Sequence, residues 1–322
     1  MYSPWTDGYL LNVEEFVPFC EWHPGYPCNS LDWMGRKGAT AQAKIVGDDP
    51  MNLEIINLEP RIEASGLPRF RGRYPSASLV KDGIWYYGTY CVDAGPPCGK
   101  VGWTKLGPFV GFRISSDYGK TWVETTHTAD NPLFREDPDS VPVKLGTPHF
   151  VDFGKNMEHS PDGKAYLLGM GAEDDDPEPR PCIKPGPPGQ PYEVVAECPD
   201  EENYRHANLS WISADQIYLS RVTPSPKNMN DLGAYEFFAG HDEQGEPRWT
   251  KERSEMKPLV EWTGRIGASA ITYNPGLDRY LLTITDGRNG HGKYHTFILE
   301  SEELTGPYKL TVFMEDFGEQ AY

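Results

Sequence analysis

The sequence predicts an all-β fold made of repeated antiparallel sheets, and three observations carry that prediction. Gly 33 and Pro 30 are more frequent than long helices tolerate. Trp 9, Tyr 18 and Phe 13 supply the flat, bulky groups that pack between sheets. A strand–turn–strand pattern recurs along the chain at intervals of tens of residues, which signals a repeat architecture.

The repeat is a hairpin. Residues 73–90 read RYPSASLVKDGIWYYGTY, residues 153–170 read FGKNMEHSPDGKAYLLGM, and residues 267–284 read GASAITYNPGLDRYLLTI. Each is a strand, a Gly-containing turn with Asp or Asn-Pro, and an aromatic-rich strand; such turns supply the positive φ that a tight reversal needs. Two further strands are expected after each hairpin. They are FVGFRISSD and KTWVETT (109–126), QIYLSRV (216–222) and YEFFAG (235–240), and HTFILES (295–301) and YKLTVFM (308–314). Four antiparallel strands per unit make a propeller blade, whose edges are protected by radial packing.

The expectation is a single β-propeller domain over residues 1–322, five-bladed, with four-stranded blades and truncation at both ends. Residues 1–60 read as a blade lacking its innermost strand. Blades follow at 61–130, at 145–250 with a loop insert at 172–207, and at 262–314; residues 315–322 open a further blade. In the alternative account GEQAY straps the first blade closed and the ring has four blades. Ser115-x-Asp117-x-Gly119-x-Thr121-Trp122 resembles the Asp-box of sialidase-like propellers, a fold marker in which Asp closes the turn and Trp packs between sheets.

Charge and cysteine content narrow the function classes. Thirty basic against 48 acidic residues give a formal net charge of -18, so nucleic acid is repelled and is not an expected partner. No run of about eighteen apolar residues is present, so no membrane span is expected. No metal site is expected: the cysteines lack zinc spacing and no twelve-residue calcium loop occurs, although Asp-rich loops leave Ca2+ open. No other cofactor is implied. Cys20 with Cys28, Cys91 with Cys98, and Cys182 with Cys198 each bracket a Pro/Gly-rich loop, which fits local disulfides and a secreted protein, with reduced thiols as the alternative. No signal peptide is read in the sequence, and because Met1 leads straight into a strand-like segment the expectation is that a leader is missing from it. The insert, rich in Pro and acidic residues, is expected to form no core and to lie as a surface loop or as a wall beside the site.

DFGKNMEHSPDGKAYLLGMG, DQIYLSRVTPS, AYEFFAGHDEQGEPRW and ITYNPGLDRYLLT occur in the order found in bacterial proteins of the domain-of-unknown-function family 4185, which this chain resembles over roughly residues 70–322. The resemblance implies a five-bladed propeller and a carbohydrate-active protein, since some members of that family are endo-acting D-arabinanases.

Propeller geometry selects site residues independently. Loops entering the innermost strand and loops leaving the second strand share one face of a ring, where the channel opens. This selects Asp7, Arg73, Tyr74, Tyr90, Asp93, Asp152, Lys155, Asn156, Arg265, Asp286 and Glu319. A glycosidase needs one protonated and one ionised carboxyl group. Asp7, Asp152 and Glu158, the last expected within an inner strand, are the catalytic candidates, and Arg73 and Arg265 their electrostatic partners. His149 and His159 are expected to bind substrate or, in a polysaccharide lyase, to act as base. The expected function is a monomeric glycoside hydrolase acting on an oligo- or polysaccharide. A non-catalytic glycan-binding or structural propeller and a His/Tyr lyase stay open beside it.

Overall fold

The computed structural model describes residues 9–12, 40–46, 51–52, 54–62, 73–92, 106–128, 131–135, 143–172, 182–184, 193–195, 205–206, 214–286 and 294–317; in parts of these strands only the backbone is described. The described residues are all-β, with antiparallel sheets and three short 3-10 turns. No helix among them is long and apolar enough to cross a membrane.

A first sheet holds β1 (Tyr9–Asn12), β2 (Thr40–Val46) and β3 (Glu54–Ile62) in that order. The second holds β4 (Arg73–Lys81), β5 (Ile84–Val92) and β6 (Leu106–Ser115). Asp82 (φ 51) and Gly83 (φ 77) join β4 to β5, the paired positive φ values of a two-residue hairpin. Pro75 sits at a shift of register, where its missing N–H does no harm to the ladder. The predicted fourth strand KTWVETT contributes only the single bridge Ile114–Val123. The side chains of the preceding turn hold it there: Asp117 accepts from Thr121 N (2.8 Å) and Thr121 Oγ1 (2.7 Å), and Ser115 Oγ accepts from Gly119 N (2.8 Å). Trp122 then lies against Trp85 (5.3 Å) and Tyr87 (5.9 Å) of its own sheet.

The third sheet differs most from the sequence reading. Its first strand is β7 (Val143–Phe150), not the segment beginning at Phe153. Residues 151–164 form a connection with a 3-10 turn at Lys155–Met157, because Gly154, Asn156 and Met157 all take positive φ and cannot continue a strand. β8 (Ala165–Ala172) follows as predicted. The insert is not featureless: β9 (Cys182–Lys184), β10 (Glu193–Val195) and β11 (Arg205–His206) pair with one another. β12 (Ala214–Val222), β13 (Glu236–His241) and β14 (Pro247–Thr250) complete the sheet. β15 (Val260–Ile266) takes the half of the β12 edge that β13 leaves open.

The fourth sheet is regular: β16 (Ser269–Asn274), β17 (Arg279–Asp286), β18 (Tyr294–Ser301) and β19 (Lys309–Phe317), each beside the next. β19 runs on through residues 315–317, which the sequence reading gave to a further blade; residues 318–322 lie outside the described residues, as do Cys20, Cys28, Cys98 and Cys198.

Sheets two, three and four stand side by side about their first strands. Ser76 Oγ of β4 donates to the Pro148 carbonyl of β7. Just past β7, Asp152 N donates to Ile271 O and Tyr273 N to Asp152 O, both 2.9 Å, a parallel bridge to β16. One continuous apolar core fills the spaces between these sheets, with Phe134 edge-on to Tyr235 and Phe153 to Tyr280. Approach within the third sheet is close: a Cβ on Gly171 would lie 2.3 Å from Val143 O and 2.7 Å from the Tyr218 ring.

Candidate functional site

The three first strands run in one direction. The end of β4 meets the connection after β7 where Asp82 N donates to Asn156 Oδ1 (2.6 Å) and Asn156 Nδ2 to Asp82 Oδ1 (3.0 Å). The same connection bridges β16 in parallel. The starting ends of β4, β7 and β16 therefore gather at the opposite end of the sheets, together with the far ends of β5, β8 and β17. The sequence reading expects its ligand mouth at that end of the sheets.

Several predicted site residues lie there. Arg73 and Tyr74 open β4, and Tyr90, at 9% exposure, pairs with Tyr74 across the β4–β5 ladder. Arg265 stands one residue before the end of β15, and Asp286 closes β17. For Arg73, Tyr74 and Asp286 only the backbone is described, and Asp7, Asp93 and Glu319 lie outside the described residues.

Asp152, Lys155, Asn156, Glu158 and His159 do not lie there. Their selection assumed that residues 153–158 enter an inner strand; they belong to the β7–β8 connection, at the other end. Asp152 shapes its own turn, its Oδ1 accepting from Gly154 N at 2.8 Å. Asn156 clasps Asp82 of the neighbouring sheet, a bond that helps hold the Asp82 carboxyl below its usual range. Glu158 caps the 3-10 turn with its side chain 58% exposed, 3.9 Å from His159 Nε2. The His159 ring rests 5.3 Å from Tyr273, whose hydroxyl donates to Asp278 Oδ1 at 2.7 Å; that bond pushes the Tyr273 pKa up.

His149 occupies β7 itself. Its Nδ1 is shut off from solvent, and burial pushes the imidazole pKa down to about 3. It is neutral at working pH and a weak base.

Sequence reasoning missed a polar group at the mouth end of β12. Asp215 and Gln216 are 4% and 5% exposed. Tyr218 OH donates to Gln216 Oε1 (2.8 Å), and Gln216 Nε2 donates to the exposed Glu261 carboxylate (3.0 Å). Ala214 pairs with Ile266, so this group opens β12 alongside the end of β15. Nearby, buried Lys144 at the start of β7 gives its ammonium protons to the carbonyls of Ser254 (3.0 Å) and Met256 (3.2 Å). The available signal was an Asp-Gln pair just ahead of the apolar run Ile217–Leu219, since buried polar side chains need such partners. Among the described residues no three His, Cys, Asp or Glu side chains are placed to hold a metal ion.

No protein-family model matches the chain, and no curated protein matches it. Among solved structures it is similar to a glycoside hydrolase family 43 protein retrieved from the capybara gut metagenome, at 15% identity and TM-score 0.35; the likeness covers 86% of this chain and 40% of that one. It is similar also to the catalytic domain of the Coprinopsis cinerea family 62 α-L-arabinofuranosidase, at 12% identity and TM-score 0.32, covering 77% of this chain and 70% of that one. A family 43 endo-arabinanase from Bacillus licheniformis matches at 15% identity and TM-score 0.24, with 73% of each chain covered. This chain thus spans less than half the length of the capybara-gut protein.

Proposed function

We propose that this chain is a carbohydrate-active β-propeller that hydrolyses a polysaccharide by means of two carboxyl groups, at the end of the sheets where β4, β7 and β16 begin. The observation that carries the reading is the parallel side-by-side placement of β4, β7 and β16, fixed by the Asp82–Asn156 clasp and the Asp152–Thr272 bridge. Such an arrangement brings loop and strand-end residues of successive sheets to one opening, where ligands are gripped. The ordered resemblance to a family with arabinan-cleaving members points to the same chemistry, and a net charge of -18 suits a neutral glycan better than an acidic one.

Asp152 and Glu158 do not serve as the carboxyl pair in this reading. Asp7, from the sequence, and Asp215, buried at the mouth end, take that place, with Arg73 and Arg265 to favour the ionised partner. The low basicity of His149 disfavours elimination through that residue.

The test is a panel of neutral and acidic polysaccharides assayed for reducing ends and for the ultraviolet absorbance of unsaturated products. Hydrolysis predicts new reducing ends without unsaturation, and strong loss in Asp7→Asn and in Asp215→Asn. Unsaturated products would replace hydrolysis by elimination. Retention of glycan by affinity electrophoresis with no product from any substrate would reduce the protein to a binding module.

A further inference from the structure

The fourth sheet carries a strip of exposed apolar side chains that starts beside the mouth and runs away from it. Ser269, Ile284, Phe297 and Phe313 stand side by side across its four strands. The first three are buried at 5% exposure or less, whereas Phe313, on the last strand, is 52% exposed. Phe313 is nonetheless held in place. Its ring stacks on Phe297 with centroids 5.1 Å apart and planes 16° from parallel, and Trp262 of β15 meets Phe297 in turn at 4.8 Å. One face of the Phe313 ring is thus covered by Phe297, and the other meets solvent.

The strip has two ends. Toward the mouth lies His295, two residues before Phe297 on β18, with its ring 5.6 Å from Phe313. In the ladder His295 stands opposite Asp286, which closes β17 at the mouth. Away from the mouth, Leu310 pairs with Leu299, two residues after Phe297, and is 51% exposed. At about 3.4 Å per residue, the step from Leu299 back to His295 is about 14 Å, room for about three sugar residues.

We infer that this strip is a glycan-binding track that continues the mouth along the outer part of the fourth sheet, with the open face of Phe313 stacked on a sugar ring. A sugar presents a face of C–H groups with hydroxyls around its rim. A ring already fixed by a stacked partner offers apolar area to that face and loses little rotamer freedom on binding. Glu315, exposed two residues beyond Phe313, is an acceptor for the hydroxyls. A protein is the poorer occupant, because a stable interface takes about 800 Å² from each partner and this strip is one side chain wide. The inference rests on the reading of a glycan site at the mouth and deepens it: the ligand is a neutral polymer engaged over several residues.

Affinity electrophoresis of the full chain through gels holding D-arabinan, L-arabinan or galactan tests the track, with released reducing ends assayed in parallel. Expected is a polymer that retards the wild type, with its dissociation constant raised about five- to tenfold in Phe313→Ala. Phe313→Trp restores retardation, and Leu277→Ala, at a 59% exposed position in the turn at the opposite end of the sheet, leaves it unmoved. Equal losses in Phe313→Ala and Phe313→Trp overturn the track, since they report damage to the sheet rather than loss of a stacking ring. Retardation that depends on Phe313 without any reducing ends supports the track and removes hydrolysis. Cleavage of a polymer with retardation and KM unaffected by Phe313→Ala removes the track and leaves hydrolysis standing. No retardation of the wild type by any of the three polymers overturns the track as well.

Discussion

Acidifying the protein from about pH 7.5 to about pH 5 is expected to weaken its fold through His149. Burial lowers the imidazole pKa from 6.5 to about 3 in the folded chain. A depressed pKa contributes stability that is complete above the unfolded value, and that is lost as pH falls from 6.5 toward 3, because the unfolded chain takes up a proton that the folded one refuses. Between about pH 7.5 and 5 the unfolded imidazole goes from mostly neutral to almost fully charged, while the folded one stays neutral. The linkage integral over that interval is about 2 kcal/mol, and across the whole window it approaches about 4–5 kcal/mol. Urea melts at both pH values, on wild type and on His149→Gln, isolate the effect: the variant has nothing to protonate at this position and should lose about 2 kcal/mol less than wild type. Asp117, held at about 2 by its bonds from Thr121, titrates below this interval and does not confuse it. Equal acid losses in the two proteins would refute the burial argument for His149.

Three further outcomes follow from the geometry. Gly171→Ala drives a methyl group into the Val143 carbonyl and the Tyr218 ring, and overpacking of this kind costs about 1–3 kcal/mol, read as a lower melting temperature with the secondary structure retained. Asn156→Ala removes both bonds of the clasp to Asp82, so amide exchange at Asp82 should rise clearly, while any glycan-cleaving activity at the opposite end stays unchanged. Asp117→Ala strips the turn of its acceptors for Thr121 N and Oγ1 and lets Trp122 leave Trp85 and Tyr87; a red shift of tryptophan emission reports it.

The regular parts of the fold were legible because strand and turn chemistry there is local. Asp82–Gly83 announces its hairpin through two adjacent positive φ positions, and the Asn274 side chain caps its own turn by accepting from Gly276 N and Leu277 N. The second hairpin was misplaced for an equally physical reason. SPDG at 160–163 is a true turn, but the residues before it carry left-handed φ at Gly154, Asn156 and Met157, which no alternation of apolar residues reveals. The strand that enters this sheet lies further upstream, where VKLGTPHF buries a lysine whose ammonium is satisfied by the carbonyls of Ser254 and Met256, residues more than a hundred positions away.

That single displacement decides the site. Shifting the first strand back to Val143–Phe150 turns the segment around Asp152 from an entry into a connection, and so moves five predicted residues to the other end of the sheets. Their carboxylates and amides then have local work: Asp152 closes a turn on Gly154, and Asn156 ties two sheets together. Asp215 moves the other way. Read as sequence, it is one more acidic residue after an acidic insert; placed at the start of β12, it is a residue with 4% exposure, next along the strand to Gln216, which links Tyr218 to Glu261. Burying a carboxyl group costs free energy unless charge or hydrogen bonds offset the lost water, so its retention at the gathered strand ends weighs more heavily than an exposed acid such as Glu158.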